Sequence, residues 1–138
     1  MNPPFAAVPP VARPTERPRL LLVDDEPNIR AVLWRTLAGG GYDLLQAGSG
    51  EEALELFRRV GADVVLSDLM MPGMSGIDLL REVKAIDDTV AFIILTGAGS
   101  MENTIAALRL QADDYLLKPF NLDAVLFSVN RALEHRRL

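Results

Sequence analysis

The chain has 138 residues, of which 49% are apolar, enough for one domain with a substantial core and too many for a disordered chain. Its formal charge of −5 argues against nonspecific binding to nucleic acid. There is no cysteine and one histidine, His135, which excludes disulfides and thiolate metal sites and leaves almost nothing for a histidine triad. No apolar run approaches the ~18 residues of a membrane span and no secretory segment is visible, so a soluble cytoplasmic protein is expected.

In chain order, the first 18 residues, MNPPFAAVPPVARPTERP, hold six of the nine prolines. Proline removes donors and fixes φ, so residues 1–17 read as a flexible tail. RLLLVD at 19–24 reads as a buried strand that ends in the doublet Asp24 and Asp25. Ile29, Val32, Leu33 and Leu37 then recur at helical spacing. YDLLQA at 42–47 is a second strand, and SGEE at 49–52 fits a capping box with Ser49 as N-cap and Glu52 at N3. ADVVLSD at 62–68 is a third strand, closed by Asp68, and SGID at 75–78 is a weaker box. VAFIILT at 90–96 ends in Thr96, and DYLLK at 114–118 ends in Lys118. Ser100 and Asn121 are candidate caps for the last two helices. Leu122, Val125, Leu126, Val129 and Leu133 form the clearest helical stripe, followed by Arg136 and Arg137, which complement the helix dipole.

Five repeats of strand and helix imply an α/β fold: a doubly wound (βα)5 parallel sheet of flavodoxin-like order 2-1-3-4-5. In such a sheet ligands bind beyond the carboxyl ends of the strands, where the order reverses between strands 1 and 3. Asp24, Asp25, Asp68, Thr96 and Lys118 all close apolar runs at that edge. Carboxylates ~5 Å apart at an effective dielectric of ~20 repel by roughly 3 kcal/mol per pair. Such a cluster needs a cation, and oxygen ligands without His or Cys favour a hard one. Few protein ligands favour Mg2+ over Ca2+, whose D-x-D-x-D-G loop spacing is absent. A divalent ion and Lys118 would neutralise the three aspartates, leaving a site that can accept a phosphoryl group, with Thr96 to hydrogen-bond it. One of the aspartates could itself be the nucleophile.

VDDE at 23–26, SDLMMPGMSG at 67–76, ILTG at 94–97 and DYLLKPF at 114–120 together resemble the receiver domain of bacterial two-component response regulators. The resemblance covers about residues 18–135, and the receiver domain is taken as 18–138. It implies that Asp68 is the phosphoacceptor, receiving a phosphoryl group from a sensor histidine kinase. It also implies Mg2+ held by Asp25, the Met70 backbone carbonyl, Asp68 and Asp24, the last directly or through water. Thr96 and Lys118 would bind phosphoryl oxygens and Tyr115 would be the switch aromatic. Pro72 and Gly73 would shape the loop behind Asp68, and Lys118–Pro119 is where the family has a cis peptide. Dimerisation through the face of helix 4, strand 5 and helix 5 is the readout the resemblance implies, with no direct contact to nucleic acid or membrane. The chain would not be an enzyme beyond its own phosphorylation and dephosphorylation.

Other readings carry less. TGAGSMEN at 96–103 imitates a dinucleotide-binding turn, but Glu102 stands at the third glycine and would repel a pyrophosphate. A Mg2+-dependent phosphatase would need an aspartate two residues after its nucleophile, where Met70 stands. A phosphate-independent interaction module would have no use for the intact acidic set. Gln111 stands where the family usually has a glycine of positive φ, so helix 4 either ends differently or carries strain. The residues two beyond Asp68 and two beyond Thr96, Met70 and Ala98, offer a thioether and a methyl group. Neither can hold an attacking water, which predicts slow loss of the phosphoryl group.

Overall fold

The computed structural model describes residues 17–97 and 101–136, the side chain of Arg136 excepted. The proline-rich segment before Arg17, Ala98, the candidate cap Ser100, and Arg137 lie outside the described residues. The elements alternate as expected: β1 (Arg19–Val23), α1 (Pro27–Ala38), β2 (Asp43–Ala47), α2 (Gly50–Val60), β3 (Val64–Asp68), α3 (Gly76–Ile86), β4 (Ala91–Thr96), α4 (Met101–Arg109), β5 (Asp114–Leu117) and α5 (Leu122–Arg136). The strands form one sheet in the order β2-β1-β3-β4-β5, with every pairing parallel. No helix among the described residues is long and apolar enough to cross a membrane.

The sheet has a core on each face, and the alternation of side chains along each strand sorts residues between them. Leu21, Val23, Val65, Phe92 and Ile94 pack with Leu54, Phe57, Leu79, Leu80, Val83 and Ala107 under α2, α3 and α4. Leu20, Leu22, Leu66, Ile93 and Leu95 pack with Leu33, Leu37, Val125, Val129 and Leu133 under α1 and α5. β3 and β4 are buried along their whole length and β1 nearly so, whereas β2 and β5, at the sheet edges, are mostly half-exposed. Val32 does not join the core; it is exposed, because the buried stripe of α1 runs only along Leu33 and Leu37, with Ile29 partly buried beside it. Leu122, in the first turn of α5, is also 38% exposed.

The helix starts differ from expectation in an instructive way. At Ser75 the box is complete: Ser75 Oγ accepts from Asp78 N and Asp78 Oδ2 accepts from Ser75 N, both at 3.1 Å. The Ser75 N–H first, with the Ser75 side chain and Arg81 adding to it against a cost of burial, holds the Asp78 carboxyl below the usual carboxylate range. At Ser49 only half forms. Ser49 Oγ accepts from Glu52 N, but Glu52 reaches back one residue further and accepts from Gly48 N at 2.8 Å. Asn121 Oδ1 accepts from Asp123 N at 2.7 Å, opening α5.

α4 ends in a Schellman motif. Ala112 N donates to Ala107 O and Gln111 N to Leu108 O, which requires a left-handed residue at Gln111. Its φ is +70°, so the side chain bears a conformation that glycine would adopt without strain.

The N-terminal edge of the sheet is closed by paired acids. Asp63 accepts the Arg19 N–H at 2.7 Å, and Asp43 pairs with the Arg19 guanidinium at 3.2 Å. Asp113 accepts the Phe92 N–H at 2.7 Å and lies 3.8 Å from Lys84 Nζ.

Candidate functional site

At the opposite edge the strand order reverses between β1 and β3, and Val23 pairs with Ser67. The chain leaving β1 therefore delivers Asp24 and Asp25 beside Asp68, the last residue of β3. One carboxylate oxygen from each of the three lies within 4.8 Å of the others. Asp24 is 1% exposed and Asp68 8%, while Asp25 opens to solvent. β4 adds the buried Thr96 one step past the Asp68–Leu95 pair. Lys118, one residue past β5, donates its N–H to the Thr96 carbonyl at 2.7 Å. Its ammonium lies 3.7 Å from Asp24 Oδ2 and 3.6 Å from Asp68 Oδ1. The Lys118–Pro119 bond is cis.

The chain leaves this cluster electrostatically incomplete. Asp24 Oδ1 accepts the Glu26 N–H at 2.9 Å, but Asp24 Oδ2 is buried with no hydrogen-bond partner among the described residues. An orphaned buried carboxylate oxygen is costly unless something else meets it. The Asp68 carboxyl is pushed above the usual carboxylate range, first by burial and next by the charge of Asp24. Lys118 and the Leu69 N–H oppose this, and Asp25 adds to it. One lysine cannot balance three carboxylates, and the donor set is oxygen only, so these residues fit a hard divalent cation.

The remaining expected residues lie on the loop after β3 and on β5. Met70, just past Asp68, is 61% exposed. Pro72 and Gly73 are exposed in the loop that follows, with Gly73 at φ +77°. Tyr115 lies beside Ile94 on β4 and packs on the α2–α3–α4 side of the sheet. Its hydroxyl is enclosed without a hydrogen-bond partner among the described residues.

Several contributors escape sequence reasoning. Arg30 of α1 donates to the Asp24 carbonyl at 2.6 Å and to Gln46 Oε1 at 3.0 Å, bracing the doublet against β2. A Cβ at Gly76 would strike the Asp68 carbonyl oxygen, so the last glycine of SDLMMPGMSG allows α3 to begin against β3. Glu51 accepts the Met74 N–H at 3.1 Å. Gly76 could have been flagged from its place just after a predicted N-cap; Arg30 meets a backbone carbonyl and a side chain on another strand, and Glu51 a backbone N–H in another loop, which no spacing announces.

Comparison with known proteins places the architecture. The family model described as the response regulator receiver domain matches residues 20–130. The regulatory protein AtoC of Escherichia coli (strain K12) is 40% identical over 116 residues, 84% of this chain and 25% of that one. The DNA-binding response regulator MtrA of Mycolicibacterium smegmatis is 42% identical over 106 residues, 77% of this chain and 46% of that one. The chain thus spans about a quarter to a half of the length of the curated relatives it matches. A receiver domain structure from Clostridium thermocellum superposes with a TM-score of 0.82 at 36% identity, covering 87% of this chain and 97% of that one. A CheY-like receiver domain from Methanospirillum hungatei gives 0.86 at 28% identity, covering 88% and 98%.

Proposed function

The chain belongs to the response regulator receiver domain family, and on that premise we propose that Asp68 accepts one phosphoryl group from a partner sensor histidine kinase in a Mg2+-dependent reaction. The observation that carries this reading is the convergence of three carboxylates and Lys118, with Asp24 Oδ2 buried and without a hydrogen-bond partner among the described residues. Asp24, Asp25, Asp68 and the Met70 backbone carbonyl would hold the ion. When bound, Mg2+ would neutralise negative charge that develops on the phosphoryl oxygens.

The chain's own residues account for the rest. An Asp68 oxygen attacks phosphorus in line, and the bond to the kinase histidine nitrogen breaks, its electron pair leaving with the imidazole. Lys118 holds a phosphoryl oxygen by charge and Thr96 holds another through its hydroxyl. As Thr96 moves toward the phosphoryl group, Tyr115 follows into the vacated space, altering the face of α4, β5 and α5. The phosphoryl group shifts that equilibrium only by what it gains in one state over the other. Homodimerisation through this face is supported by the large apolar side chains its elements leave exposed: Ile105 and Leu108, Leu117, and Phe127. Pro72, Gly73 and Pro119 shape the loops that carry Met70 and Lys118.

In this reading residues 18–138 form a cytoplasmic receiver domain preceded by a tail of residues 1–17. It makes no direct contact with nucleic acid or membrane and catalyses nothing beyond its own phosphorylation and dephosphorylation. Intact mass after incubation with a small phosphodonor and Mg2+ tests it. One phosphoryl group should be gained by wild type and none by Asp68→Asn or with the metal chelated. Thr96→Ala should gain the group yet lose the change in amide shifts on α4, β5 and α5. Equal modification of wild type and Asp68→Asn would overturn the assignment. A wild type that takes no phosphoryl group would favour a phosphate-independent interaction module.

A further inference from the structure

The first turn of α2 reaches across to the loop between β3 and α3. Glu51 Oε2 accepts the Met74 N–H at 3.1 Å. The same carboxylate lies where a Cβ on Gly73 would go, so a side chain there would displace Glu51, and the φ of +77° independently favours glycine. Gly50, buried at the start of α2, lies against Met74, whose Cβ and carbonyl oxygen would each be 2.9 Å from a Cβ placed there. The loop is held at its other end too: Gly76 N donates to Leu69 O at 2.9 Å, and Met71 is buried. Between these anchors runs the segment that contains Met70.

An acid in the first turn of a helix already complements the helix dipole without touching anything else. Glu51 does more, because its side chain leaves its own helix to accept a hydrogen bond from a loop N–H. It is not one of the three clustered carboxylates, and its hydrogen bond to Met74 ties it to the loop that leaves Asp68. We infer that Glu51 is a positioning residue for the divalent cation, holding the β3–α3 loop so that the Met70 backbone carbonyl faces the ion. The inference rests on the function proposed above.

Calorimetric titration of the full chain with MgCl2, together with hydrogen exchange at the Met74 amide, tests it on wild type, Glu51→Ala and Glu51→Gln. Glu51 is exposed, so both variants should fold. Glu51→Ala should bind Mg2+ roughly five-fold more weakly, ~1 kcal/mol, with faster exchange at Met74. Glu51→Gln keeps a carbonyl acceptor and should stay within about two-fold of wild type. Unchanged affinity in Glu51→Ala overturns the inference while the wild-type titration upholds the parent reading. An equal fall in both variants also overturns it, since the charge and not the hydrogen bond would then be responsible. A wild type that binds no Mg2+ overturns the parent reading and this inference together, and it is recognised from the wild-type titration alone.

Discussion

The two edges of one sheet treat their acids in opposite ways. At the N-terminal edge Asp63 accepts the Arg19 N–H, Asp43 pairs with the Arg19 guanidinium, and Asp113 accepts the Phe92 N–H beside Lys84. At the C-terminal edge three carboxylates crowd together, one buried oxygen has no hydrogen-bond partner among the described residues, and the Asp68 carboxyl is raised above the usual range. Acids that serve stability are satisfied by the chain itself, whereas acids gathered for a ligand are left wanting one.

Removing a carboxylate should therefore act oppositely at the two edges. Asp113→Ala strips the buried Phe92 N–H of its acceptor, and urea unfolding should show a loss of about 1–3 kcal/mol; an Asp113→Ala chain as stable as wild type would break the contrast. The next effect concerns rate. Met70 lies exposed at the mouth of the site and offers no group that holds water well, so replacing Met70 by Asn and Ala98 by Glu should speed loss of the phosphoryl group. A tenfold gain corresponds to ~1.4 kcal/mol of barrier, and decay no faster than wild type in matched Mg2+ would show that these positions do not set the lifetime.

Asp68→Asn relieves repulsion and should raise stability in EDTA by ~1 kcal/mol, a shift of about 3–6 °C in Tm. The pH dependence has a definite sign. Because the folded chain holds the Asp68 proton more tightly than the unfolded one, the metal-free wild type recovers this deficit as pH falls through the folded-state pKa toward the unfolded value. The gap between wild type and Asp68→Asn should close over that window, and a gap independent of pH would refute burial and carboxylate repulsion as its cause. The smallest effect sharpens the contrast at the quiet edge, where Gln111 at φ +70° is its strained residue. Gln111→Gly should add about 0.5–1 kcal/mol, read as a rise in Tm with the end of α4 unchanged.

Much of the fold was legible because burial leaves a strong imprint. β1, β3 and β4 are covered on both faces and read as unbroken apolar runs, and their ends announced the residues that the sheet brings together. Where an interaction depends on the exact reach of a side chain, the pattern misled. Ser75 with Asp78, the weaker motif by residue type, forms the full box, while the stronger Ser49 and Glu52 form half because Gly48 offers Glu52 another N–H. Val32 fits the helical spacing yet faces solvent, since spacing marks a stripe without giving its width. Of the two outcomes open at Gln111, the structure takes the strained one. Arg30 and Glu51 stayed hidden because the fold, and no sequence motif, brings them to the Asp24 carbonyl, the Gln46 side chain and the Met74 N–H.

The pairing of Val23 with Ser67 joins strands that α1, β2 and α2 separate along the chain. Until that pairing forms, Asp24 and Asp25 belong to one stretch of polymer and Asp68 to another, and none differs from an ordinary solvated acid. Competence to bind an ion, and in the proposed reading to be phosphorylated, therefore arrives with the long-range closure of the sheet and not before it. A misfolded copy carries the same aspartates without the cluster, so in the proposed reading the topology itself acts as a quality check on which molecules can be phosphorylated.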